Sequence, residues 1–301
     1  MDKNSSIFEL ASTLGCDVKQ DEPMCKHTTF KIGGMADVYI KVGTLENLSA
    51  IVKECEKLGV KYMIVGNGSN LIVSDDGFNG VVIRLDGDFR LISLIDEDTI
   101  YCGAGVTLGN LCKFAMNNGL SGLEFAWGIP GTVGGAVFMN AGAYGGEMKN
   151  VVCSVSHLNS NGEIGRIDRD DLNFGYRTSV YRSNGCIITG VTLKLNRANQ
   201  ADIREKMDDF LFRRSSKQPL EYPSAGSVFK RPEGNYAGAL IEQCGLKGKS
   251  VGDAQVSEKH AGFIINKGNA KAEDVKALIK EVQDTVKSET GYALECEIIM
   301  I

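Results

Sequence analysis

No stretch of this sequence approaches the run of about 18 apolar residues that a membrane-spanning helix needs. The opening MDKNSSIFEL brings an acidic residue early and no long apolar run, so it does not read as a secretory signal. A basic excess is missing as well. The formal net charge of -5 argues against nucleic acid or an anionic membrane as the main partner, and a phosphate-bearing ligand then needs a local basic cluster. Metal-ligand spacing is absent: nine cysteines and three histidines contain no CxxC and no HxxxH pair. Cys16, Cys25, Cys55, Cys102, Cys112, Cys153, Cys186, Cys244 and Cys296 are dispersed among apolar residues, as buried free thiols of a reducing compartment would be. There is no Gly-x-Ser-x-Gly elbow, no Walker loop, no Gly-x-Gly-x-x-Gly fingerprint, no internal repeat and no low-complexity segment. These absences leave a soluble, cytoplasmic protein without a metal site.

What is present is 301 residues, 43% hydrophobic and 24% charged, enough for two or three modules with a sizeable core. Apolar spacing predicts a helix over 44–58, with Thr44 as N-cap and Leu48, Ile51, Val52, Cys55 and Leu58 on one face. Strand-like runs follow at Tyr62–Val65, Leu71–Val73 and Val81–Leu85. A second stretch holds strand candidates at Thr99–Cys102, Val151–Leu158 and Ile187–Leu195, and a helix over 108–118 closed by Gly119. A charged amphipathic helix over 201–214 turns Ile203, Met207, Phe210 and Leu211 to one side. The last stretch has helices near 236–244 and over 272–288, the latter burying Val275, Leu278, Ile279, Val282 and Val286, and a terminal strand over 294–301. The class is α+β, divided as 1–88, 89–200 and 201–301.

Glycine, at 36 residues, is in excess and clustered at 66–68, 103–105 and 128–146. In Val65-Gly66-Asn67-Gly68-Ser69-Asn70-Leu71 a strand ends in successive backbone N–H groups and a hydroxyl. Such a turn is either a pyrophosphate-binding nest or a tight hairpin between two strands. Gly128-Ile129-Pro130-Gly131-Thr132-Val133-Gly134-Gly135-Ala136 leads to Asn140-Ala141-Gly142-Ala143-Tyr144-Gly145. Its six glycines are not what helix or strand propensity selects, and they let backbone lie against a large planar ligand. Phe174-Gly175-Tyr176-Arg177-Thr178-Ser179 carries an arginine that by itself reads as a surface charge. Tyr222-Pro223-Ser224-Ala225-Gly226-Ser227-Val228-Phe229-Lys230 puts a serine between a proline and the basic pair Lys230 and Arg231. In Leu294-Glu295-Cys296-Glu297-Ile298, alternation turns both glutamates to the same strand face.

HTTFKIGG, GNGSNLIV, GLEFAWGIPGTVGGAVFMNAGAYGGE, FGYRTSVYR, QPLEYPSAGSVFKRP and the glutamate tail, taken in that order, resemble the UDP-N-acetylenolpyruvoylglucosamine reductase family, also called the UDP-N-acetylmuramate dehydrogenases, in its shorter type. The likeness runs from about residue 25 to the end. It implies a two-part FAD-binding domain of the vanillyl-alcohol-oxidase type and a C-terminal α+β domain for the UDP-sugar. It further implies non-covalent FAD, NADPH as co-substrate, UDP-N-acetylglucosamine enolpyruvate as substrate, and a monomer. By the same resemblance Gly66, Asn67, Gly68, Ser69 and Asn70 bind the FAD pyrophosphate. Gly128, Ile129, Gly131, Thr132, Gly134, Gly135, Asn140, Ala141 and Gly142 surround the rest of the cofactor. Arg177, Ser227 and Glu297 fall on the catalytic positions; Lys217, Lys230 and Lys247 fall on basic positions near the substrate diphosphate and nucleotide. Lys31, where the family usually has arginine, and the bulky Trp127 before the Gly-Ile-Pro-Gly turn depart from the pattern.

The implied chemistry is hydride delivery to C3 of an enolpyruvyl ether and protonation at C2. Arg177 suits the developing carboxylate charge because a guanidinium is a planar fork that stays ionised. Ser227 is the acid and needs positioning, since a hydroxyl is a weak one. Glu297 hydrogen-bonds or buffers the substrate's acid group that Arg177 meets. Two other readings stand beside it. A flavin oxidase of the same fold needs no UDP site, and a nucleotide-binding regulator would have lost the chemistry.

Overall fold

The structure is a computed structural model that describes residues 3–301; Met1 and Asp2, with which the first of the three sequence ranges begins, lie outside the described residues. The chain packs as two compact units that are discontinuous in sequence. The larger comprises Met1–Gln20 (described from residue 3), Asp37–Gly66 and Asn79–Arg213; the smaller comprises Asp21–Ala36, Asn67–Phe78 and Arg214–Ile301.

Two sheets build the larger unit. In the first, strands run in the order Asp17–Pro23, Met35–Val42, Phe78–Leu85, Tyr62–Val65, with Tyr62 opposite Val81 and Val65 opposite Arg84 in parallel register. The helix Leu45–Leu58 (α2 after α1, Lys3–Thr13) starts where Thr44 Oγ1 accepts the Asn47 N–H at 3.3 Å. It stops at left-handed Gly59 (φ +64°), and Leu48, Ile51, Val52 and Cys55 are buried as its spacing predicts. The second sheet is antiparallel, in the order Ile164–Asp168, Val152–Leu158, Ile187–Lys194, Thr99–Gly103, Ile92–Leu94. Helix α3 (Leu108–Asn117) is followed by Gly119 at φ +66°.

The glycine-rich segment is more regular than its composition predicts. Val133–Phe138 is a short helix, α4, and Gly142–Ala143 pairs with Gly146–Glu147 as a hairpin. Close packing explains this outcome. A Cβ on Gly134 would stand 2.9 Å from Ala104 Cβ, and one on Gly146 would stand 2.6 Å from the Phe125 ring. Helix α5 (Gln200–Lys217) buries Ile203, Met207 and Phe210, but Leu211 is 36% exposed, because it stands one residue beyond the buried stripe.

The smaller unit has its own sheet, in the order Ser224–Ser227, Phe263–Asn266, Ala254–Val256, Ser250–Val251. With it come α6 (Ala237–Gln243) and α7 (Ala272–Thr290). Val275, Leu278, Ile279, Val282 and Val286 of α7 are buried with Ile264, Phe30 and Ile72. The expected terminal strand is a correction. Only Ile299–Met300 is strand, parallel to Leu71–Ile72, and the preceding residues have a single β-bridge, Cys296 to Phe229. No helix of the described residues is long and apolar enough to cross a membrane. All nine cysteines are free; Cys55, Cys102 and Cys112 are buried and the other six are half-buried, fewer deep thiols than the sequence predicts. Burial pushes the Cys55 and Cys112 thiols up to about 12.

Candidate functional site

The loop 67–70 belongs to the smaller unit. It is not a hairpin turn: the strand before it pairs with Phe78–Leu85 and the strand after it with Ile299–Met300. Gly68 is left-handed at φ +60°, and a Cβ there would run into the His27 carbonyl and stand 2.8 Å from Thr28 Cα. The HTTF segment is therefore pressed against this loop. Thr29 N donates to the Gly68 carbonyl at 3.3 Å, and Thr29 Oγ1 donates to the Ser224 carbonyl at 2.7 Å. Among the described residues the N–H groups of Gly68 and Ser69 have no backbone partner. Two successive N–H groups beside a left-handed glycine make the concave, positive surface that suits a phosphate.

The same unit brings Glu297 beside Val228, the residue that follows Ser227. Ser227 ends its strand opposite Phe263, after a register shift and left-handed Gly226 (φ +79°). The next residue, Val228, accepts the Glu297 N–H at 2.8 Å through its carbonyl. Asn70 then holds Glu297 from behind. Its Nδ2 donates to the Glu297 carbonyl at 3.3 Å, and its own carbonyl accepts the Ile299 N–H at 3.0 Å. The two tail glutamates differ, which the predicted alternation missed. Glu295 has its side chain 73% exposed and pairs with Lys230 Nζ at 3.0 Å, whereas Glu297 is half-buried. Lys247 Nζ meets Glu242 at 2.5 Å, and Lys217 is exposed on the last turn of α5.

In the larger unit, Gly66 lies against Thr132, where a Cβ would stand 3.1 Å from Thr132 Cγ2. Thr132 bridges Thr107, and the Val133 and Gly134 N–H groups donate to the Val106 and Ala104 carbonyls at 2.8 and 2.9 Å. The glycine-rich segment is thereby fixed on the 104–107 loop. Gly128 (φ +84°) and Gly145 (φ +84°) are left-handed, and no atom lies within 4 Å of where a Gly145 Cβ would be. Arg177 sits in a tight reversal in which Gly175 and Thr178 exchange N–H···O bonds at 3.1 and 3.4 Å. Its φ of +55° is unusual for a long side chain and costs about 1–3 kcal/mol. The guanidinium donates through Nη2 to the Gly142 carbonyl at 3.3 Å and stands 5.2 Å from the Tyr176 ring centroid. The Trp127 ring has Lys113 Nζ 5.7 Å from its centroid, and among the described residues its buried Nε1 has no hydrogen-bond partner.

Asn140 is the residue whose role the sequence conceals. It is 1% exposed and left-handed at φ +43°. Its Nδ2 donates to Glu147 Oε2 at 2.7 Å and to the Gly175 carbonyl at 2.9 Å, and its Oδ1 accepts the Lys149 N–H at 3.0 Å. Both amide hydrogens are committed inside the protein. Among the described residues no group of three or more His, Cys, Asp or Glu is arranged to hold a metal. His157 and His260 are each held below the usual imidazole range by burial.

A profile of an FAD binding domain matches residues 36–168, and one of the C-terminal domain of UDP-N-acetylenolpyruvoylglucosamine reductase matches residues 218–301. The UDP-N-acetylenolpyruvoylglucosamine reductase of Clostridium kluyveri is 48% identical over 286 residues, covering 95% of this chain and 93% of its own. That of Alkaliphilus oremlandii is 46% identical over 302 residues, covering 100% and 99%. The crystal structure of the Thermus caldophilus enzyme superposes with a TM-score of 0.83 at 38% identity, over 95% of this chain and 99% of that one. A berberine bridge enzyme variant shares the fold alone, with a TM-score of 0.51 at 16% identity over 64% of this chain and 44% of its own. The chain belongs to the UDP-N-acetylenolpyruvoylglucosamine reductase family of FAD-containing oxidoreductases.

Proposed function

We propose that this chain reduces the enolpyruvyl group of UDP-N-acetylglucosamine enolpyruvate to the lactyl ether of UDP-N-acetylmuramate, with NADPH as electron donor, in the cytoplasm and as a monomer. Ranges 1–88 and 89–200 serve the cofactor, and 201–301 serves the UDP-sugar. Once bound, FAD would supply hydride-transfer chemistry at N5 between NADPH and C3 of the enolpyruvyl ether. The chain's own residues do the rest. Backbone N–H groups of Gly68 and Ser69, with Gly66 and Asn67 beside them, hold the pyrophosphate. Backbone at Gly128, Ile129, Gly131, Thr132, Gly134, Gly135, Ala141 and Gly142 lies along the remaining cofactor. Arg177 stabilises the charge that develops on the substrate carboxylate through its planar fork of N–H donors. Ser227 gives its proton to C2, and Glu297 hydrogen-bonds or buffers the substrate's acid group. Lys217, Lys230 and Lys247 lie near the substrate diphosphate and nucleotide.

The observation that carries this reading is the backbone bond from Glu297 N–H to the Val228 carbonyl, 2.8 Å. It sets a half-buried carboxyl beside the strand that ends in Ser227, in the part of the chain matched by the reductase's C-terminal profile. An oxidase has no use for that pairing. The test is anaerobic absorbance on the purified protein. NADPH should bleach the oxidised flavin bands, and the enolpyruvyl UDP-sugar should restore them stoichiometrically without oxygen. Recovery only in air would point to an oxidase, and a colourless protein that takes up no FAD would overturn the flavoprotein reading.

A further inference from the structure

Asn140 stands in a motif that the resemblance assigns to the cofactor, yet its side chain faces elsewhere. Its two amide hydrogens go to Glu147 Oε2 and to the carbonyl of Gly175, and its oxygen receives Lys149 N–H. Gly175 is the residue from which the Arg177 reversal hangs, through its paired bonds with Thr178. The second contact to Arg177 comes from the same segment: the Gly142 carbonyl, two residues after Asn140, accepts Nη2. Arg177 is thus held on both sides by the chain 140–142, once through its turn and once through its guanidinium.

The hub is also expensive to assemble in isolation. Asn140, Tyr144 and Arg177 all have positive φ, at +43°, +51° and +55°. Non-glycine residues persist there only where surrounding bonds over-determine the backbone. Asparagine is the residue type that tolerates this conformation best and still offers two donors and an acceptor. Burial at 1% exposure leaves its amide no solvent to fall back on, so losing it leaves the Gly175 carbonyl and the Lys149 N–H without that partner.

We infer that Asn140 is a positioning residue for Arg177, setting the arginine's turn rather than contacting the cofactor with its amide. The inference rests on the assignment of Arg177 to the substrate carboxylate. It predicts that the two halves of the reaction respond differently. Flavin reduction does not use the carboxylate, whereas sugar reduction does.

The experiment uses the FAD-loaded enzyme and Asn140→Gly, which keeps the left-handed backbone while deleting the amide. Anaerobic stopped-flow measures bleaching by NADPH and recolouring by the enolpyruvyl UDP-sugar. The expected result is bound flavin and a recolouring-to-bleaching ratio lowered by about 10²-fold, the usual penalty of a misplacement near 1 Å. Amide exchange at Gly175 and Thr178 should accelerate, a readout independent of turnover. Asn140→Gly in an Arg177→Ala background should slow recolouring no further than Arg177→Ala alone. Glu147→Gln, on the half-exposed partner of the amide, should lower the same ratio by less and gives a second variant should the first be insoluble. Loss of flavin, equal slowing of both halves, or losses that multiply in the double variant would each overturn the inference. A wild-type enzyme that bleaches but does not recolour with the sugar sinks the functional assignment instead, and amide exchange still judges the hub.

Discussion

Gly68 and Gly145 are both left-handed glycines in the glycine-rich motifs, and the structure separates what each does. A Cβ at 68 meets the His27 carbonyl, while a Cβ at 145 meets nothing within 4 Å. Gly145→Ala should therefore lose only the backbone preference, about 1–2 kcal/mol. Gly68→Ala adds an overlap with main chain and should lose about 3 kcal/mol together with most of its bound flavin. Thermal denaturation and flavin content of the two variants check this; equal effects would mean that the HTTF segment does not press on the loop. Ser227→Ala should leave bleaching by NADPH in place and slow recolouring by about 10²–10⁴-fold, as removal of a general acid does. The histidines set a pH dependence. His157 and His260 both have their pKa lowered from 6.5 by burial, and the Gly262 N–H donates to His260 Nδ1 at 3.2 Å, which requires that nitrogen to be unprotonated. The unfolded chain binds these protons more readily, so stability is complete above pH 6.5 and falls as pH drops below it. The urea midpoint should decline from pH 7 to pH 5, and His260→Asn should flatten part of that decline.

At the scale of elements, α7 shows how one helix is fixed by its apolar stripe. Leu278 is fully buried among Val275, Ile279 and Val282, and Gly291 closes the helix at φ +78°. Leu278→Ala should cost about 2–5 kcal/mol, whereas Lys276→Ala on the exposed face should stay within about 0.5 kcal/mol. Chemical denaturation of both decides it, and a small Leu278 effect would show that the smaller unit's core can collapse around the gap. Helices of this kind were legible in sequence because a 3.6-residue period survives whatever surrounds it. The tail was not. Residues 294–298 have a strand's composition, yet they bridge only at Cys296, because Val228, Phe229 and Lys230 offer them just a short edge to pair with. The glycine-rich segment was illegible for the opposite reason. Its composition argues against a helix, and packing of Gly134 on Ala104 makes one.

At the scale of the molecule, the chain crosses between the two units five times, so neither unit is a continuous segment. Phe30, Ile32 and Ile72 are buried in the core that α7 completes, and the Phe30 carbonyl accepts Asn266 Nδ2 at 3.2 Å. A fragment 214–301 should therefore give no cooperative melt and a collapsed proton spectrum when expressed alone. A well-dispersed spectrum would show that the early segments are dispensable. Sequence by itself determined helices α2, α3, α5, α6 and α7, the central strands, the glycine-rich motifs and the family likeness, because these depend on local pattern and residue order. Tertiary structure decided what those motifs hold. Only folding sets Val228 against Glu297, separates that glutamate from the exposed Glu295, and turns the amide of Asn140 toward Gly175. Each of these joins residues far apart in the chain or chooses between like neighbours, and a hydrogen bond between distant residues leaves no mark on the local pattern of either.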